Sequence, residues 1–183
     1  AEDGIRDESL RLVGSEMCIR DRQNTRHLLI QQILKMASSL AISEHAELHV
    51  IHAWLAKYEG AMRDAFIATP EDEVASYVES VKQRHTLTLD KKLDKLDKDI
   101  LGCIKPKKHL IKGEPRREIP AFAKKIKADL VVMGTVARTG LSGFFMGNTA
   151  ETILNQLDCS VLAIKPPGLV TPVTLDDQDI DIV

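Results

Sequence analysis

The chain has 183 residues, of which 44% are apolar and 28% are charged, and its formal net charge is −2. This length suits one compact domain. The near-neutral charge and an aromatic content of 4% argue against a nucleic-acid partner, which selects basic and stacking side chains. No apolar run is long enough to span a membrane and no charged-then-apolar leader is visible, so we expect a soluble, cytoplasmic protein. The three cysteines lie far apart without metal-ligand spacing, so neither a disulfide framework nor a metal site is predicted.

The first 22 residues have neither a helical nor a strand period and differ from the rest of the chain. Residues 1–7 resemble the translation of a sequencing flow-cell primer, and residues 12–22 resemble the translation of a tagmentation adapter. We therefore interpret residues 1–22 as a non-native, adapter-derived segment and exclude it from the fold prediction. A genuine disordered tail is the alternative. On our interpretation, the source gene encodes an authentic first strand immediately before Gln23.

From residue 26 onward, the apolar residues follow first a helical and then a strand period. Steps of three and four predict a helix over residues 26–42, and a short aliphatic run predicts a buried strand over residues 46–54. A long helix is predicted to start after Thr69 and to run to about Lys98. The Thr69 hydroxyl is the expected cap, Pro70 lies in the first turn, and acidic residues follow at the positive end of the helix dipole.

The second half of the chain continues this alternation. The predicted elements are a strand at residues 109–112, a helix that contains Pro120, a buried strand at 129–133, a helix at 148–157 and a strand at 160–165. The pattern predicts the α/β class, with a doubly wound parallel sheet and helices on both faces. Ligands of such sheets bind beyond the carboxyl ends of the strands.

The loop at residues 134–147, after the buried strand, is the candidate ligand site. It is longer than most strand-to-helix connections, and loops of this length are often functional. Its glycines permit close backbone approach, and Arg138 supplies a fixed positive charge suited to a phosphate. Asn148 is a favoured N-cap and Glu151 completes a capping box, so the free amides of this helix start would face an anion.

Four residues of this region carry a family resemblance. Gly134, Ala137, Gly147 and Asn148 stand at the spacing G-x2-G-x9-G-[S/T/N]. The chain thereby resembles the universal stress protein family, whose ATP-binding members carry this motif after the fourth strand. The resemblance covers nearly all of residues 23–167 and is greatest to the second half of the tandem-domain class, the E type.

The resemblance implies a fold and a division of the chain. The implied fold is an adenine-nucleotide α-hydrolase-like α/β fold, a doubly wound parallel five-stranded sheet whose first strand is missing or replaced. The resemblance implies a universal stress protein domain at 23–168, which follows the adapter-derived segment at 1–22. The acidic tail at 169–183 lacks core-forming residues and is expected to be disordered.

The resemblance also implies an ATP site, with Mg²⁺ as an optional companion. A backbone group of Ala53 would meet adenine, and Asn148 and Thr149 would meet the phosphates. The residues implied around ribose and phosphates are Gly134, Thr135, Val136, Ala137, Arg138, Thr139, Gly140 and Gly147. No catalytic residue can be assigned from spacing, so the implied function is ATP binding by a stress-response regulator or adaptor rather than catalysis.

Two other functions remain open. A structural or dimerisation module of the same fold, without nucleotide, is favoured by Ala137, which replaces the family's second glycine and adds a methyl group. An enzyme related to the adenylate-forming α/β folds would need a base or metal cluster, and the sequence offers none that can be assigned. The resemblance also implies pairing through the last strand, either in a homodimer or with a lost upstream domain.

Two further groups of residues receive structural interpretations. His49 and His52 are three apart on a strand, so they lie on opposite faces and cannot bind one metal ion together. The basic residues between 105 and 117 are accompanied by acids and are interpreted as a solvated surface rather than a nucleic-acid site.

Overall fold

A computed structural model describes residues 10–13, 23–64, 69–95, 104–135 and 148–165. The strands in these ranges are β1 (Leu10–Val13), β2 (His49–Trp54), β3 (Lys107–Lys112), β4 (Leu130–Gly134) and β5 (Ser160–Ile164). The helices are α1 (Gln23–Ser43), α2 (Glu59–Met62), α3 (Glu71–Leu93), α4 (Pro115–Lys125) and α5 (Asn148–Leu154).

The five strands form one parallel sheet in the order β3-β2-β1-β4-β5. The chain moves outward from β1 to β3 on one side, returns to β4 beside β1, and then continues outward to β5. This confirms the predicted doubly wound α/β sheet. The two directions of winding diverge between β1 and β4, which is where doubly wound sheets open a ligand crevice.

The central strand comes from the segment that we excluded from the fold prediction. Leu10–Val13 pairs with β2 on one side and with β4 on the other, so the first strand of the sheet is replaced rather than missing. The exclusion was therefore wrong at these four positions. A strand of this length places only two residues on each face, too few for a visible alternation, whereas the flanking strands supply a backbone ladder on both sides. The adapter origin of residues 1–22 remains a prediction.

Apolar side chains cover both faces of the sheet, because successive residues of a strand point to opposite sides. On one face, α1 and α3 pack against even-numbered strand residues such as Val50 and Val132. On the other face, α4 and α5 pack against odd-numbered ones such as Ile51 and Met133. Fully burying an aliphatic side chain of this kind stabilises the fold by about 1.5–3 kcal/mol.

Most predicted elements are confirmed, with ends displaced by a few residues. The predicted cap at Thr69 is wrong, because Pro70 is the N-cap and no side-chain cap is formed. The Pro70 carbonyl oxygen accepts the amides of Glu73 and Val74, each at 3.1 Å. With φ at −56°, the proline ring already holds a helix-compatible angle, so the helix starts without a hydroxyl cap.

The C-terminal ends of α3 and α5 also differ from prediction. Helix α3 ends at Leu93, earlier than predicted, and α5 begins at Asn148, the residue predicted as its cap, and ends at Leu154. Helix α2 was not predicted, since four residues are too few to show a helical period. The predicted acidic tail lies outside the described residues.

Candidate functional site

The strands flanking β1 extend past its end. Val13 is the last described residue of β1 and lies opposite Ile51 of β2 and Met133 of β4. Strand β2 continues three residues farther, to Trp54, and β4 continues one residue, to Gly134. We call the position in the sheet beyond Val13, between these two extensions, the notch. It lies at the carboxyl edge of the sheet, where the two directions of winding diverge.

The backbone of Ala53 faces the notch. The Trp54 carbonyl oxygen accepts the Gly113 amide at 2.8 Å, and the Leu48 carbonyl oxygen accepts the Lys107 amide at 2.8 Å. Even-numbered residues of β2 therefore direct their backbone groups toward β3. Because this direction alternates along a strand, Ala53 directs its N–H and C=O toward the β1 side, beyond the described end of β1.

The backbone of Gly134 faces the notch from the opposite side. The Thr135 amide donates to the Ile164 carbonyl oxygen at 2.9 Å, and the Ser160 amide donates to the Asp129 carbonyl oxygen at 3.1 Å. Odd-numbered residues of β4 thus point toward β5, so Gly134 points toward β1. Two interstrand spacings, about 9–10 Å in total, separate β2 from β4.

The Cβ of Ala53, and the place where a Cβ would stand on Gly134, both face the core. Ala53 is buried with the residues under α4 and α5. A Cβ on Gly134 would lie 2.9 Å from Ile33 and 3.0 Å from Leu29, both on α1. Glycine at 134 is therefore explained by the close approach of α1, and what these positions offer a ligand is backbone.

The remaining predicted site residues fall into two groups. Thr135 is buried at the end of β4, Asn148 is exposed and Thr149 is half-buried at the start of α5. The others lie outside the described residues: Val136, Ala137, Arg138, Thr139, Gly140 and Gly147. The structure thus places Ala53 and Gly134 on opposite sides of one notch, and the phosphate contacts remain predictions.

Histidines form pairs that the sequence analysis missed. His49 Nδ1 lies 3.0 Å from His109 Nε2, and the two rings stack with centroids 5.0 Å apart. His52 Nε2 lies 2.8 Å from His85 Nδ1. His49 is on the α4 side, against Phe122, and His52 is on the α3 side, which confirms that the two lie on opposite faces. Their partners sit 60 and 33 residues away in other elements, so only strand register or helix docking could have identified them.

The lysines of the edge strand β3 pair with carboxylates. Lys107 binds Glu47, and Lys112 lies 2.6 Å from Glu59. The hydrogen bond from Lys107, with a smaller contribution from His49, lowers the pKa of Glu47 below its ordinary value. Lys112 likewise lowers the pKa of Glu59. These pairs fit the solvated surface that was predicted for this region.

Within the described ranges, no cluster of three or more metal-ligating side chains occurs. The same ranges contain no helix that combines the length and apolar character needed to cross a bilayer.

Residues 29–165 match the sequence pattern of the universal stress protein family. The chain belongs to the universal stress protein family. It is 35% identical over 151 residues to universal stress protein E of Salmonella typhi, covering 82% of this chain but 44% of that protein. The chain therefore spans less than half the length of this universal stress protein.

Two solved structures share the fold of this chain. Universal stress protein UspA from Lactobacillus plantarum superposes with a TM-score of 0.58 at 14% identity, covering 86% of this chain and 98% of that one. Protein PA1789 of Pseudomonas aeruginosa, described as functionally unknown, superposes with a TM-score of 0.51 at 25% identity, covering 87% of this chain and 48% of that one. The universal stress protein fold is thus shared with short and long chains alike.

Proposed function

We propose that this universal stress protein domain binds ATP in the notch and acts as a stress-response regulator or adaptor, without dedicated catalytic residues. The observation that carries the proposal is the convergence of two backbone positions, Ala53 and Gly134, on the notch from opposite sides. The family resemblance implies nucleotide contacts at both positions.

The chemistry of Ala53 suits adenine. Its N–H and C=O point the same way and present one donor beside one acceptor. Adenine carries the complementary pair on one edge, the N1 acceptor beside the N6 amino donor. The base would therefore continue the hydrogen-bonding ladder of β2 where β1 ends. The loop that follows Gly134 would then reach ribose and phosphates, with Mg²⁺ on the phosphates as an optional companion.

One observation favours the structural module instead. Gly134 is explained by its packing against Leu29 and Ile33, so its presence does not require a ligand. Strand β5 is also a sheet edge, and its sequence SVLAI carries no charge, unlike the lysine-rich edge β3. An uncharged edge strand suits pairing with a second domain. In this alternative, the fold serves association through β5 and the notch stays empty.

Calorimetric titration of the full chain separates the two functions. We expect saturable binding of ATP, with or without Mg²⁺, and at least about tenfold weaker binding of GTP, because guanine presents its donor and acceptor in the reverse order. Gly147→Val should abolish ATP binding by blocking close backbone approach. Gly60→Val is the matched control, because a Cβ on Gly60 would meet nothing within 4 Å. The absence of ATP binding would leave the structural module, whereas equal binding of ATP and GTP would contradict the adenine contact at Ala53.

A further inference from the structure

Helix α2 lies at the carboxyl edge of the sheet, just beyond the end of β2. It is four residues long, and none of its residues is buried. Its N-cap residue, Tyr58, forms no side-chain cap. A single helical turn of this kind is unstable by itself, because fixing the backbone of the first turn is unfavourable. The position of α2 therefore depends on the contacts of its side chains with neighbouring elements.

Four alternating charges connect α2 to β3 on one side and to α3 on the other. Glu59 Oε2 of α2 lies 2.6 Å from Lys112 Nζ of β3. Arg63, which follows the last residue of α2, places its Nε 3.5 Å from Glu59 Oε1 and its Nη1 2.6 Å from Glu71 Oε2 of α3. We call Lys112, Glu59, Arg63 and Glu71 the charged latch. Its two middle charges both belong to the α2 segment, so the latch holds that segment between β3 and α3.

The charged latch is partly open to solvent. The side chain of Glu59 is 20% exposed. Those of Lys112, Arg63 and Glu71 are 43%, 46% and 71% exposed. Dissolved ions screen such charges, with a Debye length that falls from about 10 Å at 0.1 M salt to about 3 Å at 1 M. The attraction between the charges of the latch therefore weakens as the ionic strength rises.

The apolar cluster that precedes α2 in the chain responds differently to salt. Trp54 and Ala56 are buried in this cluster together with Val81 of α3. The burial of apolar surface involves no charge, so ionic screening does not weaken it. Added salt should therefore loosen α2 while the sheet and the core stay in place.

We propose that the charged latch is an ionic-strength-sensitive device that holds α2 against β3 and α3 at low salt and releases it when the salt concentration rises. Each exposed ion pair changes the equilibrium between the held and the released form by about 1.4- to 5-fold. The three contacts of the latch together give a change of about threefold or more. The signal that this device detects is the concentration of ions rather than a particular ligand.

Amide hydrogen exchange of the ¹⁵N-labelled full chain tests the latch without nucleotide, so the outcome does not depend on the proposed ATP site. The amides of Met62 and Arg63 report on α2, since both donate hydrogen bonds within its turn, at 2.9 and 3.0 Å. At constant pH, we expect their protection to fall by about threefold or more between about 0.05 and 1 M KCl, while the amide of the buried Val132 in β4 stays protected. Sucrose at the same osmolality should not reproduce the fall, because it adds no ions.

Three variants identify the charges responsible. Glu59→Gln removes two of the three contacts, so α2 should be less protected at low salt and should lose most of its dependence on KCl. Lys112→Gln breaks the contact with Glu59 from β3 and should remove part of that dependence. Lys82→Gln is the matched control, because it breaks an exposed pair with Glu79 at 3.4 Å within α3, and it should leave the protection of α2 unchanged.

Three results would overturn the proposal. The first is protection of Met62 and Arg63 that KCl does not change. The second is an equal loss of protection in sucrose or at Val132, which would show an osmotic or a global effect instead of release of α2. The third is a salt dependence in Glu59→Gln that equals that of the unaltered chain.

Discussion

At the scale of single residues, position 134 shows how one glycine can have two explanations. The sequence motif attributes it to the approach of a nucleotide. The structure supplies a second cause, because the side chains of Leu29 and Ile33 occupy the space that a Cβ would take. Sequence alone could not reveal this contact, since it depends on how α1 docks across β4.

We predict that Gly134→Ala destabilises the fold by about 1–3 kcal/mol, because the added methyl overpacks the contact with α1. Urea unfolding measures the change. Gly60→Ala is the matched control, since that position is open and lies in a helix, where alanine is favoured. A Gly134→Ala protein as stable as the parent would show that α1 does not pack closely at this point.

A second prediction concerns Ser38 in α1. Its side chain is fully buried, and among the residues that the structure describes its Oγ has no hydrogen-bond partner. Ser38→Ala should therefore stabilise the protein by about 1 kcal/mol more than Ser39→Ala, which makes the same helix-propensity change at an exposed position. Thermal or urea unfolding of the two variants isolates the buried hydroxyl. Equal effects at the two positions would contradict this account.

At the scale of elements, the periodicity of the sequence predicted which face of a strand each side chain occupies. It did not predict the partners of those side chains in other elements, because these depend on tertiary contacts. The three-residue spacing of His49 and His52 was enough to place them on opposite faces, because strand side chains alternate. Their partners could not be predicted, since His109 depends on the register of β3 and His85 on the docking of α3. The four residues of β1 are too few to show a strand period. Only their pairing with β2 and β4 identifies them as a strand.

The contact between Lys107 and Glu47 predicts a pH dependence at the edge of the sheet. The pKa of Glu47 is lowered in the fold, so its contribution is present above its ordinary pKa of 4.5 and is lost as pH falls below that value. Lys107→Met should cost about 0.2–1 kcal/mol at pH 6, the usual range for an exposed pair, and less at pH 3, where the Glu47 carboxylate is protonated to a greater extent. Urea unfolding at the two pH values measures the gap.

Lys105→Met is the control, because it removes an exposed lysine two positions earlier. It should show no pH-dependent gap of this kind. An effect of Lys107→Met that persists undiminished at pH 3 would contradict the assigned role of the Glu47 carboxylate.

At the scale of the whole molecule, the two sheet edges differ in charge. Strand β3 carries lysines that oppose pairing with another strand, whereas β5 carries none. We predict that domains associate through β5 and that Val161→Lys weakens this association, measured by analytical ultracentrifugation. Ile111→Lys is the matched control, because it places the same charge at a half-buried position of the opposite edge strand. Equal loss of association in both variants would indicate general destabilisation rather than an interface at β5.

The doubly wound order of the sheet was predictable because helix and strand periods alternate along the chain. The notch was not, since it depends on where β1 stops relative to Ala53 and Gly134. The direction of the backbone groups of Ala53 and Gly134 follows from the alternation along each strand, once the hydrogen bonds of the neighbouring residues are known. The loop residues from Val136 to Gly147 lie outside the described ranges, so their roles rest on the motif.

The measurement that tests nucleotide binding most directly is an NMR titration of the ¹⁵N-labelled full chain with ATP, followed at the backbone amides of Ala53 and Gly134. Both amides face the notch, so we predict that both shift saturably with one common dissociation constant, and that GTP at the same concentrations shifts them far less. The exposed amide of Gly60 should not move and serves as the internal control. Saturation with ATP that leaves Ala53 and Gly134 unmoved, or the absence of any saturable shift, would contradict ATP binding in the notch.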